Sequence, residues 1–323
     1  MCTSISLTTK DHYFGRNLDM ECSYDEKVII TPRKYPLKFR HLREIDEHFA
    51  MVGIGISVND YPLYYEATNE KGLSMAGLSF RTSAVYNDFD IDKENVCVFE
   101  LIPYILGKCS SVDESREVLE NINIVSTQFN DELEVAELHW MISDRDYSIT
   151  VECVQDGLKV YYNPVHVLTN NPEFPMQIFN LNNYMNLTRE EPETRFAEGF
   201  DLNKYSRGMG AIGLPGDLSS MSRFVRGAFT RLNSVCGESE SESISQFFHI
   251  LDSVSQTQGC VRVEDGFEKT IYSSCCNTDK GIYYYKTYNN SQLSAVALYN
   301  ENLDKNGLIT YNLINEQHVK FQN

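Results

Sequence analysis

Residues 1–20 read MCTSISLTTKDHYFGRNLDM. Two strand-like runs, 5–7 and 13–17, flank the polar pair Lys10-Asp11, which is the pattern of a β-hairpin. Such a hairpin carries its second strand back past its own first residue and sets Cys2 beside Arg16 and Asp19. An arginine there favours thiolate over thiol. An aspartate there holds an ammonium by a charge-assisted hydrogen bond. Cys is small enough for a preceding Met to be trimmed, and loss of Met1 would leave Cys2 with both a thiol and a free α-amine. The reference pKa of such an amine, about 7.7–8.0, suits it to take a proton near neutrality. By position alone, Cys2 fits an incidental second residue better than a nucleophile, and Arg16 with Asp19 fits a surface salt bridge.

Outward from the hairpin, residues 28–31, 49–56 and 73–80 are further strand-like runs bounded by turn residues. Residues 99–106 are largely apolar and are predicted helical. Ser111 with Glu114 predicts a capping box opening a helix through Val118, Leu119 and Ile122. Strands return at 139–143, 148–154 and 165–169. A helix is predicted from about Ser220, with Val225, Phe229 and Leu232 on one face. Another is predicted from about Ser243, with Ile244, Phe247, Phe248 and Leu251 at amphipathic spacing. Strands close the chain at 270–275, 282–288 and 294–299. Blocks of strands and blocks of helices predict an α+β fold of mostly antiparallel sheet, two sheets face to face with helices outside. No repeat or linker interrupts residues 1–323, which read as one domain.

Hydrophobic residues at 42% and charged residues at 23% permit a packed core. Twenty Tyr against one Trp suit pleated, half-buried surfaces. A net charge of −18 disfavours nucleic acid and anionic lipid as partners, and an anionic substrate would need local positive charge. The first twenty residues hold no apolar targeting core, and no stretch approaches a membrane span. Nine irregularly spaced Cys speak against a disulfide scaffold and for a reducing cytoplasm. Without a CxxC pair and with few His, no zinc site and no cofactor are expected. His139, beside Trp140, reads as a hydrogen-bonded core residue with no Asp partner in view. No GxSxG elbow occurs. Gly208-Met209-Gly210 and Gly213-Leu214-Pro215-Gly216 lack the Lys-Ser/Thr ending of a phosphate loop and read as tight turns.

Further motifs follow MCT and FGRNLD in order: NDYPLYY at 59–65, NEKGLSMAGLSF at 69–80, LHWMISD from Leu138, VLTNNPEF from Val167, GMGAIGLPGDLSSMSRFVR at 208–226, YSSCCN from Tyr272 and GIYYYKTYNNSQ from Gly281. Together they resemble the choloylglycine hydrolase family of bile salt hydrolases and penicillin V acylases, across essentially the whole chain. The bile salt hydrolases of Gram-positive gut bacteria are the nearer match. The resemblance implies an N-terminal-nucleophile αββα sandwich. It implies Cys2 as nucleophile, Arg16 and Asp19 as its neighbours, and Arg223 as a second active-site arginine. The Asn170 side chain and the Ser79 backbone N–H become the oxyanion donors. Ser79 stands where the family usually has Asn, which bears on substrate ranking rather than on the N–H. Leu18, Met20, Val58, Tyr65, Phe129 and Leu133 would line a steroid cavity, although each also fits ordinary core packing. The implied substrates are glycine- or taurine-conjugated bile salts, with penicillin V as the alternative, and the implied assembly is a homotetramer. Two readings of other classes are a non-catalytic lipid-binding relative with a blocked N-terminus, and a thiol redox protein pairing Cys2 with Cys22.

Overall fold

The computed structural model describes residues 1–264 and 266–323. In chain order the strands begin with β1 (Cys2–Thr8), β2 (His12–Met20), β3 (Lys27–Thr31), β4 (Met51–Val58), β5 (Tyr61–Asn69), β6 (Ser74–Ser79) and β7 (Glu94–Cys97). Helices α1 (Leu101–Lys108) and α2 (Val112–Asn121) lead to β8 (Ile122–Val125), β9 (Leu138–Ser143), β10 (Ser148–Val154), β11 (Gly157–Tyr162) and β12 (Val167–Leu168). Then come α3 (Phe174–Asn180), α4 (Ser220–Asn233), α5 (Glu240–Asp252), β13 (Val261–Val263), β14 (Gly266–Asn277), β15 (Ile282–Thr287), β16 (Asn290–Ala297) and β17 (Ile309–Asn312).

The predicted hairpin is present, antiparallel from Cys2 opposite Leu18 to Thr8 opposite His12. It sits inside a first sheet ordered β12-β1-β2-β14-β15-β16, with β13 paired to β14. A second sheet runs β11-β10-β9-β6-β5-β4-β3-β17. Helices α4 and α5 pack on β1, β2, β12 and β14, while α1 packs on β5 and β6. The layers are therefore helix, sheet, sheet, helix, as expected. One core cluster, including Ile5, Phe14, Ile54, Leu78 and Phe247, fills the space between the sheets and under α4 and α5; a second, including Leu101, Ile105 and Trp140, lies under α1. Glycine at position 15 lets β2 press against β14, because a Cβ there would stand 2.0 Å from the Ser274 carbonyl oxygen.

Several local expectations change. Ser111 caps the Glu114 N–H at 3.2 Å, but the Glu114 carboxylate turns to the Ser110 N–H and hydroxyl, so no reciprocal box forms. Ile122 leaves the helix and begins β8, which pairs in parallel with β7. The full capping box is Ser239 with Glu242, and it opens α5 three residues before Ser243. On α4 the buried face runs through Phe224 and Ala228 and continues with Arg231, whose Nε donates to the Ser6 carbonyl at 2.9 Å; Leu232 turns to solvent at 55% exposure. Val225 is buried and Phe229 half-buried as predicted; Leu232, two turns beyond Val225 on the same face and at the end of the helix, is the one that departs. The predicted strand 165–169 shortens to Val167–Leu168, and strand 294–299 becomes the end of β16 followed by a short helical turn.

A buried histidine, His12, and a half-buried one, His166, stitch the sheets together near the hairpin turn. His12 Nδ1 lies 2.7 Å from Thr8 Oγ1, and its Nε2 lies 3.3 Å from Ser143 Oγ of the second sheet. Ser148 Oγ donates to Ser143 Oγ at 2.8 Å and lies 2.9 Å from His166 Nδ1. Burial first, and positive neighbours second, push His12 down to about 3 and His166 down to about 4. Both values lie below the unfolded value of about 6.5, so the unfolded chain binds more protons between pH 6.5 and about 3. The stability these histidines contribute above pH 6.5 is lost as pH falls through that window, by roughly 2 kcal/mol at pH 5 for the buried His12 and by less for His166, whose partial exposure lets solvent screen the effect. Urea midpoints at pH 7 and pH 5 are expected to show a smaller difference in His166→Gln than in the parent; an equal difference contradicts this.

Candidate active site

Strand alternation divides the residues around Cys2 between two faces. Arg16 points into the sandwich, where its Nη1 donates to the carbonyls of Gly77 at 2.5 Å and Tyr65 at 3.1 Å. Leu18 stands opposite Cys2 on that same face. Thr3, Asn17 and Asp19 face the helices: Asn17 Nδ2 donates to the Leu251 carbonyl of α5, and Arg223 of α4 donates to Thr3 Oγ1 at 2.7 Å. Arg16 and Asp19 are 1% and 0% exposed, so they do not form a surface salt bridge. Nor do they pair with each other. Arg16 lies on the inner face of the hairpin and Asp19 on the helical face.

Residue 2 is gripped through its backbone. Its N–H donates to Asn170 Oδ1 at 2.8 Å, and its carbonyl accepts from Arg223 Nη1 at 2.6 Å. Arg223 Nη2 donates to the same Asn170 oxygen at 2.7 Å. With Oδ1 saturated by two donors, the Asn170 amide presents its NH2 end outward. One N–H reaches the Ser79 carbonyl at 2.7 Å, and an Asn amide has a second to offer. Asp19 Oδ1 accepts from Thr270 Oγ1 at 2.6 Å; its Oδ2 is 4.0 Å from Arg223 Nη1 and has no hydrogen-bond partner among the described residues. Burial raises the Asp19 carboxyl, with Arg223 and the terminal ammonium opposing it. Met1 lengthens the strand by one residue. Its ammonium donates to the Asp19 carbonyl at 2.7 Å and pairs with the Glu268 carboxylate.

Two supports were not legible as site residues. Asn170 is held from behind: its N–H donates to Ser220 Oγ at 2.8 Å, and Gln177 Nε2 donates to its carbonyl. The preceding Thr169 carbonyl lies 3.0 Å from His139 Nε2, and His139 Nδ1 lies 3.0 Å from Glu152 Oε1. His139 is thus the hydrogen-bonded core residue expected, but its acidic partner is Glu152, one step beyond the Trp140–Val151 pair of β9 and β10. The sequence signal was an acid inside the apolar alternation Val151-Glu152-Cys153-Val154. The second support is Glu66, which is fully buried and 3.8 Å from Arg16 Nε. Cys22, by contrast, is exposed while Cys2 is buried, and all nine cysteines are free.

The six cavity residues fall into two groups. Leu18 is buried, and Met20 and Tyr65 pack half-buried on the core cluster that contains Cys2. Val58 lies at the tip of the β4–β5 hairpin, and Leu133 bridges Asn130 in the 130–133 loop. Phe129 stacks near Tyr61 and Phe99, with the Arg40 guanidinium 5.6 Å from its ring centroid. A hollow of about 590 Å³ opens between Glu26, Lys27, Lys269, Ile271, Tyr288 and Leu313. Lys269 is the strand partner of Met20, yet none of the six lines this hollow. Among the described residues no His, Cys, Asp or Glu cluster could hold a metal, and no helix is long and apolar enough to cross a membrane.

Two facing antiparallel sheets between helical layers, with a cysteine at the head of the central hairpin, define the N-terminal-nucleophile class of amidohydrolases. Residues 2–311 match the model of the linear amide C–N hydrolases, choloylglycine hydrolase family, and the chain belongs to that family. It is 55% identical over 317 residues to the bile salt hydrolase/transferase of Lactiplantibacillus plantarum, covering 98% of each chain. A crystal structure of conjugated bile acid hydrolase from Clostridium perfringens superposes with a TM-score of 0.93 at 37% identity, each chain covered in full. Penicillin V acylase from Agrobacterium tumefaciens shares the fold, with a TM-score of 0.75 at 20% identity over 96% of this chain and 90% of that one.

Proposed function

We propose that this chain hydrolyses the amide bond of glycine- or taurine-conjugated bile salts, after removal of Met1 has freed the α-amine of Cys2. The observation that carries the reading is the double grip of Asn170 and Arg223 on a buried Cys2, in a chain 55% identical to a bile salt hydrolase/transferase. The thiolate attacks the amide carbonyl carbon, forming a C–S bond and an oxyanion. The second N–H of the Asn170 amide and the Ser79 backbone N–H stabilise that oxyanion; loss of such a donor typically costs ~10²–10³ in rate. The C–N bond then breaks, and the α-amine passes the thiol proton to the departing glycine or taurine nitrogen. Water adds to the thioester, gives a proton back to Cys2 through the same amine, and the free bile acid leaves.

Arg16 favours the thiolate, the unpartnered Asp19 Oδ2 receives the new Cys2 ammonium, and Arg223 holds both Asn170 and the local field. Leu18, Met20 and Tyr65 supply steroid contacts close to Cys2; Val58, Phe129 and Leu133 supply the outer wall. The scheme requires no cofactor. As the further reading, the chain works as a cytoplasmic homotetramer. Large apolar side chains left 78–83% exposed at Met185, Phe196 and Tyr205 support self-association, and light scattering at four chain masses is the expected result.

Glycocholate, taurocholate and penicillin V, assayed side by side, test the substrate. Glycine or taurine is expected to be released at least ~10-fold faster than phenoxyacetate, a margin of about 1.4 kcal/mol in transition-state binding. Faster release of phenoxyacetate would reassign the chain to penicillin acylation chemistry.

A further inference from the structure

Glu66 lies at the centre of a buried ion cluster that joins the two sheets. It projects from β5 of the second sheet and meets three hydroxyls of the first: Tyr272 at 2.7 Å, Ser274 at 3.1 Å, and Tyr283. Its other neighbour is Arg16 Nε at 3.8 Å. The Arg16 guanidinium is held from two further directions by the Gly77 and Tyr65 carbonyls. One nitrogen, Nη2, is buried with no hydrogen-bond partner among the described residues. Burial works against the Arg16 charge, yet the charges of Cys2, Tyr272, Glu66 and Asp19 outweigh it and hold the guanidinium cationic. Arg16 therefore faces Glu66 at 3.8 Å and shares the inward face of the hairpin with Cys2.

We infer that Glu66 is a positioning residue that sets how strongly Arg16 draws Cys2 toward its thiolate, by competing with the thiol for the same guanidinium. The inference rests on the proposed role of Cys2 and adds to it. The geometry makes the competition effective. The Gly77 and Tyr65 carbonyls pin Arg16 whether or not Glu66 is charged, so removing the Glu66 charge leaves the cation in place. Of the other titratable groups facing this cluster, burial holds the half-buried Tyr65 and the buried Tyr272, Tyr283 and Cys276 neutral, and the Glu26 carboxylate lies near Tyr65. Asp19, Arg223 and Glu268 lie on the helical side of Cys2 and are unchanged by a substitution at residue 66. Burial also raises the Glu66 carboxyl itself, with Arg16 and the hydroxyls opposing that rise.

Glu66→Gln is the direct test. It keeps the volume and one acceptor oxygen, turns the other oxygen into an NH2 that can donate to a hydroxyl oxygen, and removes the charge. Alkylation of Cys2 by iodoacetamide, followed by mass spectrometry across pH 4–9, reads the thiol without any substrate. The midpoint of the alkylation profile is expected to move to lower pH by about one unit, the scale of one charge acting over roughly 10 Å at an effective dielectric near 20. The acidic limb of kcat/KM for glycocholate is expected to move with it. Glu66→Asp, which restores the charge, should return the profile to that of the parent. Should the Gln variant fail to fold, Tyr283→Phe serves instead: it removes a donor from the carboxylate, favours its protonated form, and is expected to shift the midpoint the same way by less. A folded Gln variant with an unmoved profile, or one shifted to higher pH, overturns the inference; so does an unmoved Tyr283→Phe profile where that variant has to be used. Failure of the bile-salt reading would leave this alkylation result unaffected, which keeps the two outcomes separate.

Discussion

Replacing Cys2 by Ala is expected to lower glycocholate turnover by at least ~10⁴-fold while leaving the fold intact. Loss of a covalent nucleophile from an assembled site typically costs this much or more, because the remaining donors have no bond-forming partner to assist. The structural cost is small. Residue 2 is held through its N–H and carbonyl, not its side chain, and Ala keeps both groups. Circular dichroism and the urea midpoint should stay near those of the parent, within about 1 kcal/mol for one small buried side chain. Intact mass should still show Met1 removed. Activity retained above one part in a hundred would rule out Cys2 as the attacking group.

Arg223→Ala should show the second largest effect, and in two measurements at once. The guanidinium is fully buried and contacts Cys2, Thr3 and Asn170 while facing Asp19. Removing it takes away one of the two cations facing the buried Asp19 carboxylate, and breaking a buried pair from one side costs about 3–5 kcal/mol. It also frees the Asn170 amide, whose oxygen is kept inward by Arg223 and by Cys2 itself, so kcat is expected to fall by ~10²–10³, the worth of a lost oxyanion donor. Because Arg223 acts on the reaction through Asn170, the double variant with Asn170→Ala should lose less than the sum of the two single losses. Fully additive losses would mean that Arg223 does not act by orienting that amide.

The parts of this site that could be read from sequence are those built by contiguous residues. Alternation along 5–7 and 13–17 and the polar turn between them specify the hairpin, and the hairpin alone brings Arg16, Leu18 and Asp19 back to Cys2. The α5 helix was equally legible in type, since Ile244, Phe247, Phe248 and Leu251 carry its period and all four are buried. Faces were less legible than types. Leu232 has the right spacing for the α4 core, but Arg223 and Phe224 had already chosen the buried side of the helix by reaching toward β1.

What could not be read are the long-range partners. Tyr272 and Tyr283 stand 206 and 217 residues from Glu66, and no local pattern in either segment names the other. His139 has its acid only because β9 and β10 pair in one register. The sequence by itself determined most of the strands, helices α1, α2, α4 and α5, and the layered α+β class, because propensity, alternation and turn chemistry act within a few residues; β5, β7, β8, β11, β13, β17 and α3 were not read from it, and Cys2, Arg16 and Asp19 were singled out by the family motifs. Only the tertiary structure decided that Arg16 and Asp19 lie on opposite faces of β2 and that Glu66 stands 3.8 Å from the Arg16 guanidinium. It also decided that Arg223 grips residue 2 through the backbone. Each of these depends on which sheet or helix is pressed against each face of the hairpin, and that is settled by burial of the whole core.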